Sequence, residues 1–294
     1  MRAAVLVFNP FAGRRRSATL LSRVTEALRG SGFDAEPLPT RAPGDATERA
    51  REATQDGVDI VFALGGDGTL RECAAGLLGT DSVLGFLPTG TINVMALELG
   101  VPLRPVAAAR AFAGASAIPF GVGLAGEVPF LMQVSAGVDA FLVGAMRPNE
   151  KRFLGPASAV PAIFRSLARY SFPPFEISSP SGTRTATLAV ASNIRRYGGP
   201  WKLTPKASSD GSSLDLFSFS GRGRAAAIRL ALSLLVGRQL RVPGSHCERI
   251  GNAALRTVPA LPFQIDGDVL PTAPDHELEI ALSGHTLRML VPPR

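Results

Sequence analysis

The stretch Leu64-Gly65-Gly66-Asp67-Gly68-Thr69 joins an apolar run, Asp59 to Leu64, to a helical pattern, Thr69 to Leu78. The apolar run predicts a strand that is buried on both faces. The glycines let the backbone reach positive φ and approach a ligand, so that amide N–H groups can face phosphate oxygens. The positive end of the following helix favours the same kind of ligand. These residues predict an anion-binding turn between a strand and a helix.

Asp67, the acidic residue of this turn, limits the kinds of ligand and reaction that the turn can serve. A carboxylate would repel a bare phosphate, so it fits a site where a divalent cation bridges it to phosphates or where it accepts a proton. Thr69 offers a hydroxyl to the same anion, and its alternative role is to cap a helix that begins around Leu70. Glycine-rich turns also occur without a ligand, so further signals are needed.

Two more polar turns follow predicted strands. Asn9-Pro10-Phe11-Ala12-Gly13-Arg14 follows the run Ala3 to Phe8, and Leu87-Pro88-Thr89-Gly90-Thr91-Ile92-Asn93 follows the run that begins at Val83. The carboxyl ends of parallel strands share one edge of a sheet, which is where ligands bind. Three such turns predict one site at that edge.

Residues 1–114 alternate strand and helix patterns, which predicts a parallel sheet covered by helices on both faces. The predicted strands are Ala3–Phe8, Phe33–Leu38, Asp59–Leu64 and Val83–Leu87, and the predicted helices are Ser17–Leu28, Asp45–Gln55 and Thr69–Leu78. The fold class is therefore α/β, with an N-terminal αβα sandwich.

Beyond Phe112 the pattern changes to short apolar runs between Gly, Pro and Ser clusters, which predicts mostly antiparallel β structure. These runs are Phe130–Val134, Phe175–Ile177, Thr185–Ala191, Leu214–Phe219, Leu278–Leu282 and Thr286–Val291. Two helical segments interrupt them, Gly155–Tyr170 and Arg224–Leu240. We place a domain boundary near Gly114, giving domains 1–114 and 115–294, the second a β-rich sandwich.

Composition excludes several classes of protein. The chain has 294 residues, of which 46% are hydrophobic and 19% charged, so it folds rather than remaining disordered. Its two cysteines are too few for a disulfide framework, which predicts a reducing, cytoplasmic setting. No signal peptide is apparent, and the longest apolar stretch, Ala225 to Leu235, is interrupted by Arg229 and too short to span a membrane.

The charge is unevenly distributed. Residues 1–114 carry 12 basic and 12 acidic side chains, so the net +7 belongs to the remainder, with 19 basic and 12 acidic side chains. This asymmetry predicts a surface that meets an anionic partner. The alternative is that the arginine excess, 28 Arg against three Lys, reflects the composition of the genome.

The three turns, together with Asp266-Gly267-Asp268, resemble the diacylglycerol kinase catalytic family, which includes sphingosine kinases and bacterial lipid kinases and is distantly related to NAD kinases. The resemblance extends over nearly the whole chain. It implies an NAD kinase-like nucleotide-binding domain over 1–114, a β-rich lipid-substrate domain over 115–294, and ATP and Mg²⁺ as cofactors.

The resemblance also implies roles for individual residues. Asp67 and Asp268 are the expected catalytic carboxylates, and which one holds the metal and which one serves the acceptor hydroxyl is left open. The family usually has glutamate at position 268, and Phe120–Gly123 offers no acidic residue where many members carry one. The expected nucleotide-binding residues are Asn9, Gly13, Gly65, Gly66, Gly68, Thr69, Thr89, Gly90, Thr91, Asn93 and Asp266. Asp210 and Asp215 match a structural Mg²⁺ loop, with an Asx turn as the alternative.

The sequence lacks the motifs that define several other classes of enzyme. No lysine follows glycine as a Walker loop requires, and no histidine begins a His-Arg-Asp phrase or accompanies a serine elbow. The basic and aromatic loop from Arg195 to Lys202 could suit nucleic acid, but no RNA-binding phrase accompanies it, and we favour a membrane-facing or substrate-entry loop.

We therefore expect an ATP-dependent lipid kinase that phosphorylates a hydroxyl of diacylglycerol or of a similar long-chain lipid alcohol. The alternatives are an NAD kinase-like small-molecule kinase and a catalytically silent regulator that binds nucleotide or lipid. The expected partners are the lipid substrate and an anionic membrane surface, with no nucleic acid and a homodimer as a possible assembly. The expected location is the cytoplasm, peripherally at the inner face of the membrane.

Overall fold

The computed structural model describes residues 1–10, 17–145, 167–257, 261–270 and 276–293. Contacts within the chain define two compact units, Met1–Phe120 with His285–Arg294, and Gly121–Gly284. Two sequence predictions lie outside the described residues: the nucleotide-binding role of Gly13, and the helix Gly155–Tyr170 as far as residue 166.

The first unit is built on a parallel sheet in the order β2-β1-β3-β4. Helix α1 packs with α5, and α2 packs with α3. The strands are β1 (Arg2–Phe8), β2 (Phe33–Pro39), β3 (Ile60–Gly65) and β4 (Val83–Pro88), and the helices are α1 (Ser17–Gly30), α2 (Asp45–Gln55), α3 (Asp67–Leu77), α4 (Val94–Leu99) and α5 (Pro105–Ala111). This arrangement confirms the predicted α/β class for the N-terminal part.

The central strands β3 and β4 are buried along their whole length, as their continuous apolar runs predict. Phe62 of β3 packs edge-on against Phe33, with ring centroids 5.2 Å apart, and also against Phe112 at 5.6 Å. The neighbouring strand carries Gly85 at this level, where a Cβ atom would lie 2.4 Å from the Phe62 ring. The glycine therefore makes room for the largest side chain of the core at this point.

The second unit is a sandwich of antiparallel strands. One sheet has the order β14-β13-β10-β7-β16-β17, and in the other β18 pairs with β15, β15 with β8 and β8 with β9, while β5 pairs with β18 and β6. The strands are β5 (Ser116–Ala125), β6 (Val128–Phe130), β7 (Gln133–Gly137), β8 (Phe175–Ser179), β9 (Gly182–Ala186), β10 (Leu188–Ser192), β13 (Leu214–Phe219), β14 (Ser245–Ile250), β15 (Asn252–Arg256), β16 (Phe263–Ile265), β17 (Asp268–Leu270) and β18 (Glu277–Val291), with the hairpin β11 (Arg196–Tyr197) and β12 (Trp201–Lys202) beside them. Residues 116–120 of β5 belong to the first unit. The helices are α6 (Val138–Ala145) and α7 (Gly223–Leu235).

Side chains from both sheets of the second unit form one buried core. Phe263 and Leu216 come from the first of these sheets, and Phe175, Leu255 and Ile280 come from the other. This packing confirms the predicted β-rich sandwich.

Several predicted element boundaries are corrected. The helix predicted over Arg224–Leu240 ends at Leu235, because Gly237 adopts a positive φ of 68° before a 3-10 turn. The two runs predicted as Leu278–Leu282 and Thr286–Val291 form the single strand β18, whose residues from His285 onward belong to the first unit. Within the described ranges no helix is long and apolar enough to cross a membrane.

Candidate functional site

Three strands of the first unit end together at one edge of the parallel sheet. The register pairs Phe8 of β1 with Leu64 of β3, and Gly65 of β3 with Pro88 of β4. The Thr89 N–H also donates to the Gly65 carbonyl at 2.7 Å. The turns that begin at Asn9, Gly66 and Thr89 therefore share this edge, as far as the structure describes the first of them.

The glycines of these turns serve close backbone approach. Gly66 has φ −91° and ψ −176°, an extended conformation, and Gly65 and Gly90 also lack a positive φ. The expectation of positive φ in the turn from Leu64 to Thr69 is therefore wrong, because none of Gly65, Gly66 and Gly68 has a positive φ. A Cβ on Gly65 would lie 2.5 Å from the Cβ of Thr69, and a Cβ on Gly90 would lie 3.0 Å from the Cα of Gly66. Glycine is required at position 65 because Thr69 of the same turn lies against it, and at position 90 because the neighbouring turn does.

Asn93 stabilises the third turn, which begins at Thr89, through hydrogen bonds within the turn. It adopts a left-handed conformation, with φ 54°, and is buried. Its Oδ1 accepts the Gly90 N–H at 2.9 Å, and its Nδ2 donates to the Gly90 carbonyl at 2.8 Å. Both ends of the amide are thus engaged within the turn, while Thr89 and Thr91 are exposed. Asn93 shapes the turn, and a direct contact with nucleotide stays a prediction.

Asp67 links the second turn to the helix that follows the third. Its Oδ2 accepts the Val94 N–H at 3.0 Å, and its Oδ1 accepts the Met95 N–H at 3.2 Å, both in the first turn of α4. Burial raises the pKa of the Asp67 carboxyl above its ordinary value of 3.8, and the two backbone hydrogen bonds partly offset that rise. Each carboxylate oxygen can accept a further bond, so this anchoring role leaves capacity for a cation or a proton.

Helix α3 begins at Asp67, two residues before the predicted start. Gly66 is its N-cap and provides no side-chain cap, so the proposed capping role of Thr69 is wrong. The Leu70 N–H makes an intrahelical bond to the Gly66 carbonyl at 3.1 Å. The N–H groups of Asp67, Gly68 and Thr69 therefore stand in the first turn, where amides lack intrahelical acceptors. They are the donors that a phosphate group would use.

A cavity of about 640 Å³ opens beside the third turn. Thr89 and Gly90 line it together with residues of α1 and the start of α5, and the guanidinium groups of Arg23 and Arg104 give it two positive charges. No motif marks these arginines, because each lies in an ordinary helical or loop context. Sequence reasoning missed them, and only the packing of α1 against α5 brings them to one cavity.

In the second unit, Asp266 is a buried backbone anchor. Its Oδ2 accepts the Leu131 N–H at 2.8 Å, and its Oδ1 accepts the N–H groups of Met132 and Gln133 at 2.9 and 2.8 Å. It adopts a left-handed φ of 48° at the turn between β16 and β17. Asp268, two residues later, is exposed at the start of β17. Of the two carboxylates, Asp268 is the one that stands open to solvent.

A third carboxylate, Asp139, was missed by the sequence reasoning. It lies buried in the first turn of α6, where it accepts hydrogen bonds from the hydroxyls of Ser135 and Tyr197. The Gln264 Nε2 also donates to it, at 3.3 Å, and the Gln264 Oε1 accepts the Gly267 N–H at 3.1 Å. Gln264 thereby connects Asp139 to the turn that carries Asp266 and Asp268. The available signal was an acidic residue within an otherwise apolar helical run.

The electrostatics of this cluster favour a retained proton. Burial raises the pKa of Asp139, against the hydrogen bonds from Ser135, Tyr197 and Gln264, which lower it. Burial and the neighbouring Asp139 also raise the pKa of Tyr197 well above its ordinary value. Among the described residues, the groups that lower the pKa of Asp139 are neutral hydrogen-bond donors, and the effect of burial exceeds theirs.

The two residues predicted as structural Mg²⁺ ligands have different surroundings. Asp210 is exposed and accepts the Ser212 N–H at 2.9 Å, so the Asx turn weighed as the alternative is present. Asp215 is buried in β13, with its Oδ1 3.9 Å from the Arg249 Nε. No cluster of three or more His, Cys, Asp or Glu able to hold a metal occurs among the residues that the structure describes. Metal binding by Asp210 and Asp215 stays a prediction.

Comparison with known proteins identifies the class to which this architecture belongs. The family model described as "Diacylglycerol kinase catalytic domain" matches residues 3–125. The model described as "YegS C-terminal NAD kinase beta sandwich-like domain" matches residues 132–290. Together the two matches define a diacylglycerol kinase catalytic domain followed by an NAD kinase-like β-sandwich domain of the YegS type.

Individual relatives agree with these matches. The protein "Diacylglycerol kinase" of Bacillus subtilis is 28% identical over 255 residues, which cover 82% of this chain and 81% of that protein. A "Probable lipid kinase YegS-like" of Pseudomonas fluorescens is 31% identical over 226 residues, which cover 73% and 72%. A crystal structure of a candidate diacylglycerol kinase from Bacillus anthracis matches with a TM-score of 0.79 at 25% identity, covering 99% of this chain and 97% of that one.

The chain therefore belongs to the diacylglycerol kinase catalytic-domain family, and it is a lipid kinase, a phosphotransferase. The expectation drawn from the three turns and the Asp-Gly-Asp phrase is confirmed at this level.

Proposed function

We propose that the chain transfers the γ-phosphoryl group of ATP, with Mg²⁺, to a hydroxyl of diacylglycerol or of a similar long-chain lipid alcohol. The observation that carries the proposal is the meeting of two glycine turns around Asp67 at the edge of the first unit's parallel sheet. The printed name of the Bacillus subtilis relative supports diacylglycerol as the acceptor class.

The turns fit the phosphates of a nucleotide. Gly66 and Gly90 bring the two turns together, because a Cβ on either glycine would meet the Cα of the other. The N–H groups at the start of α3 present donors to an anion, aided by the helix dipole. Arg23 and Arg104 in the adjacent cavity can bind further phosphate oxygens through their guanidinium groups. This is a cradle for a polyanion rather than for a neutral ligand.

The carboxylates fit Mg²⁺, which prefers oxygen ligands and is commonly held by one or two carboxylates together with substrate phosphates. Asp67 can hold the metal or accept a proton, because each of its oxygens has capacity beyond the backbone bond that it makes. Mg²⁺, when bound, would neutralise charge on the phosphates.

Asp268 is proposed to orient or deprotonate the acceptor hydroxyl. Its exposure at the start of β17 suits a group that meets substrate, and the buried Asp266 beside it fixes the turn. An aspartate here reaches about one methylene less far than the glutamate that the family usually carries. Positioning and electrostatic stabilisation account for most of the barrier reduction in phosphoryl transfer, so the rigidity of this turn matters.

The test is incubation of the purified protein with labelled ATP, Mg²⁺ and either detergent-dispersed lipids or NAD. We expect label in a phospholipid product and none in NADP. Label in NADP alone would overturn the proposal in favour of a small-molecule kinase. Nucleotide binding with no transfer to any lipid of a broad panel would overturn it in favour of a silent regulator.

A further inference from the structure

Helix α7 of the second unit has two apolar faces. One face, with Leu230 and Leu234, packs against the core formed by residues such as Phe217. The opposite face is exposed and also apolar: the exposed fractions are 59% for Leu232 and 69% for Val236. A surface helix normally presents polar residues on its outer face, so this face requires a separate explanation.

The apolar exposure continues beyond the helix. The buried Gln239 donates from its Nε2 to the carbonyls of Lys202 and Leu203 at 2.6 and 2.9 Å, which holds the 3-10 turn after α7 against strand β12. Leu240 of that turn and Trp201 of β12 are both exposed. We call the combined area the α7 surface; its members are Trp201, Ile228, Leu232, Leu235, Val236 and Leu240. It holds six of the ten exposed large hydrophobic residues in the described part of the chain.

The charge around this area is of one sign. Residues 216–247 contain no Asp or Glu and five arginines, all of which are exposed. The arginines lie before, within and after the helix: Arg222, Arg224, Arg229, Arg238 and Arg241. Exposed apolar side chains with flanking arginines and a tryptophan are the features of a helix that lies in a membrane interface. Such arginines are attracted to anionic headgroups.

We propose that the α7 surface docks on an anionic lipid bilayer, with α7 lying in the plane of the headgroups. The inference extends the proposed function, since a lipid kinase must reach an acceptor that resides in the bilayer. A second copy of the chain fits less well, because a two-fold contact would place these five arginines opposite five others without an acidic residue of the same segment. Anionic headgroups complement both the charge and the apolar character of the surface.

The test is sedimentation of the full chain with vesicles, without nucleotide. We expect binding to phosphatidylcholine vesicles that contain phosphatidylglycerol, and much weaker binding to phosphatidylcholine alone. The double variant Leu232→Ser/Leu235→Ser should weaken binding by about tenfold or more. The double variant Arg229→Gln/Arg238→Gln should weaken binding by about fivefold for each charge removed.

Matched controls come from exposed arginines of the first unit. Arg29→Gln and Arg51→Gln each remove one positive charge from a surface ion pair and should leave vesicle binding within about twofold of the original. All variants change exposed side chains, so their thermal unfolding should match that of the unchanged chain. Equal binding by the leucine variants, or an equal loss in the controls, would overturn the proposal. Loss of a dimer on size exclusion in the leucine variants, with vesicle binding intact, would assign the surface to a second copy.

The same variants separate this inference from the proposed function. If the chain binds vesicles as described but transfers no phosphate, the docking surface stands and the proposed function fails. If turnover on a short-chain, monomeric acceptor is normal while the leucine variants also phosphorylate vesicle-embedded acceptor normally, the docking proposal fails and the proposed function stands.

Discussion

Two aspartate-containing turns, one in each unit, use their carboxylates differently. In the first unit, Asp67 both anchors its turn, through the N–H groups of Val94 and Met95, and is the residue proposed to act in the chemistry. In the second unit the two tasks are divided. Asp266 accepts three backbone N–H groups and is buried, whereas Asp268 is exposed.

This difference shows that an acidic residue in a glycine-rich phrase need not face substrate. A buried carboxylate can accept hydrogen bonds from several backbone N–H groups that would otherwise be buried without a partner at a cost in free energy. This stabilising role is a sufficient reason for an acidic residue at such a position. Where one residue has both roles, substitution should affect stability and turnover together. Where the roles are divided, substitution should separate the two effects.

Asp266→Ala should have the largest effect. It removes the acceptor of three N–H groups, two of which lie in a buried setting, so we expect a loss of about 3 to 5 kcal/mol in the free energy of unfolding. Urea denaturation measures the loss, and Asp266→Asn, which keeps one acceptor oxygen, should be intermediate. Asp268→Ala is the matched control and should change stability by less than about 0.5 kcal/mol. Equal losses at the two positions would remove the proposed division of roles.

Asp67→Asn should reduce turnover by about 100-fold to 10,000-fold and the free energy of unfolding by about 1 kcal/mol. The amide loses the charge that would attract a cation or a proton, and it offers only one acceptor for two N–H groups. Steady-state kinetics and urea denaturation report the two effects. Asp34→Asn, at an exposed position near the opposite end of the sheet, is the control for the same chemical change. Unaltered turnover would leave Asp67 as an anchor alone.

Asp268→Asn should reduce turnover by about 100-fold while stability stays within about 0.5 kcal/mol. The carboxylate is exposed and is proposed to meet the acceptor hydroxyl, and changes at exposed side chains usually alter the free energy of unfolding little. Asp268→Glu should keep activity, because it restores the side chain that the family usually carries. If the asparagine and glutamate variants were equally inactive, the position would be structural rather than chemical.

Asp139→Asn should have the smallest effect, visible as a change in pH dependence. Burial raises the pKa of Asp139 in the folded state above its value in the unfolded state. At a pH between these two pKa values the folded chain binds more protons than the unfolded chain. The contribution of Asp139 to the free energy of unfolding therefore falls as pH rises through this interval. The variant lacks this slope. Urea denaturation between about pH 4 and pH 8 measures the difference.

The control for that experiment is Asp210, whose pKa is shifted in the opposite direction. Hydrogen bonds from Ser212 lower the pKa of Asp210, so its contribution is present at higher pH and is lost as pH falls. Asp210→Asn should therefore not reproduce the change seen at position 139. A pH profile of stability that is the same with aspartate or asparagine at 139 would contradict the burial of an ionisable group there.

The strand and helix alternation of the first unit and the positions of its glycine turns could be predicted, because both depend on neighbouring residues. The prediction placed the start of α3 two residues too late, because its N-cap, Gly66, has no side chain and gives no capping signal. The union of two predicted strands into β18 was also missed. Gly284, which has a positive φ of 72°, favours a turn between two strands. Backbone pairing with other strands on both sides of it nevertheless keeps β18 continuous.

The amino-acid sequence by itself determined the class of fold and the residues eligible for chemistry, because periodicity, turn residues and short phrases are local properties of the chain. Tertiary structure alone decided what each carboxylate touches. Asp67 meets residues 27 and 28 positions away, Asp266 meets residues 133 to 135 positions away, and Asp139 meets Gln264 across 125. Contacts over such separations are selected by the packing of whole strands and helices, and no local pattern encodes them.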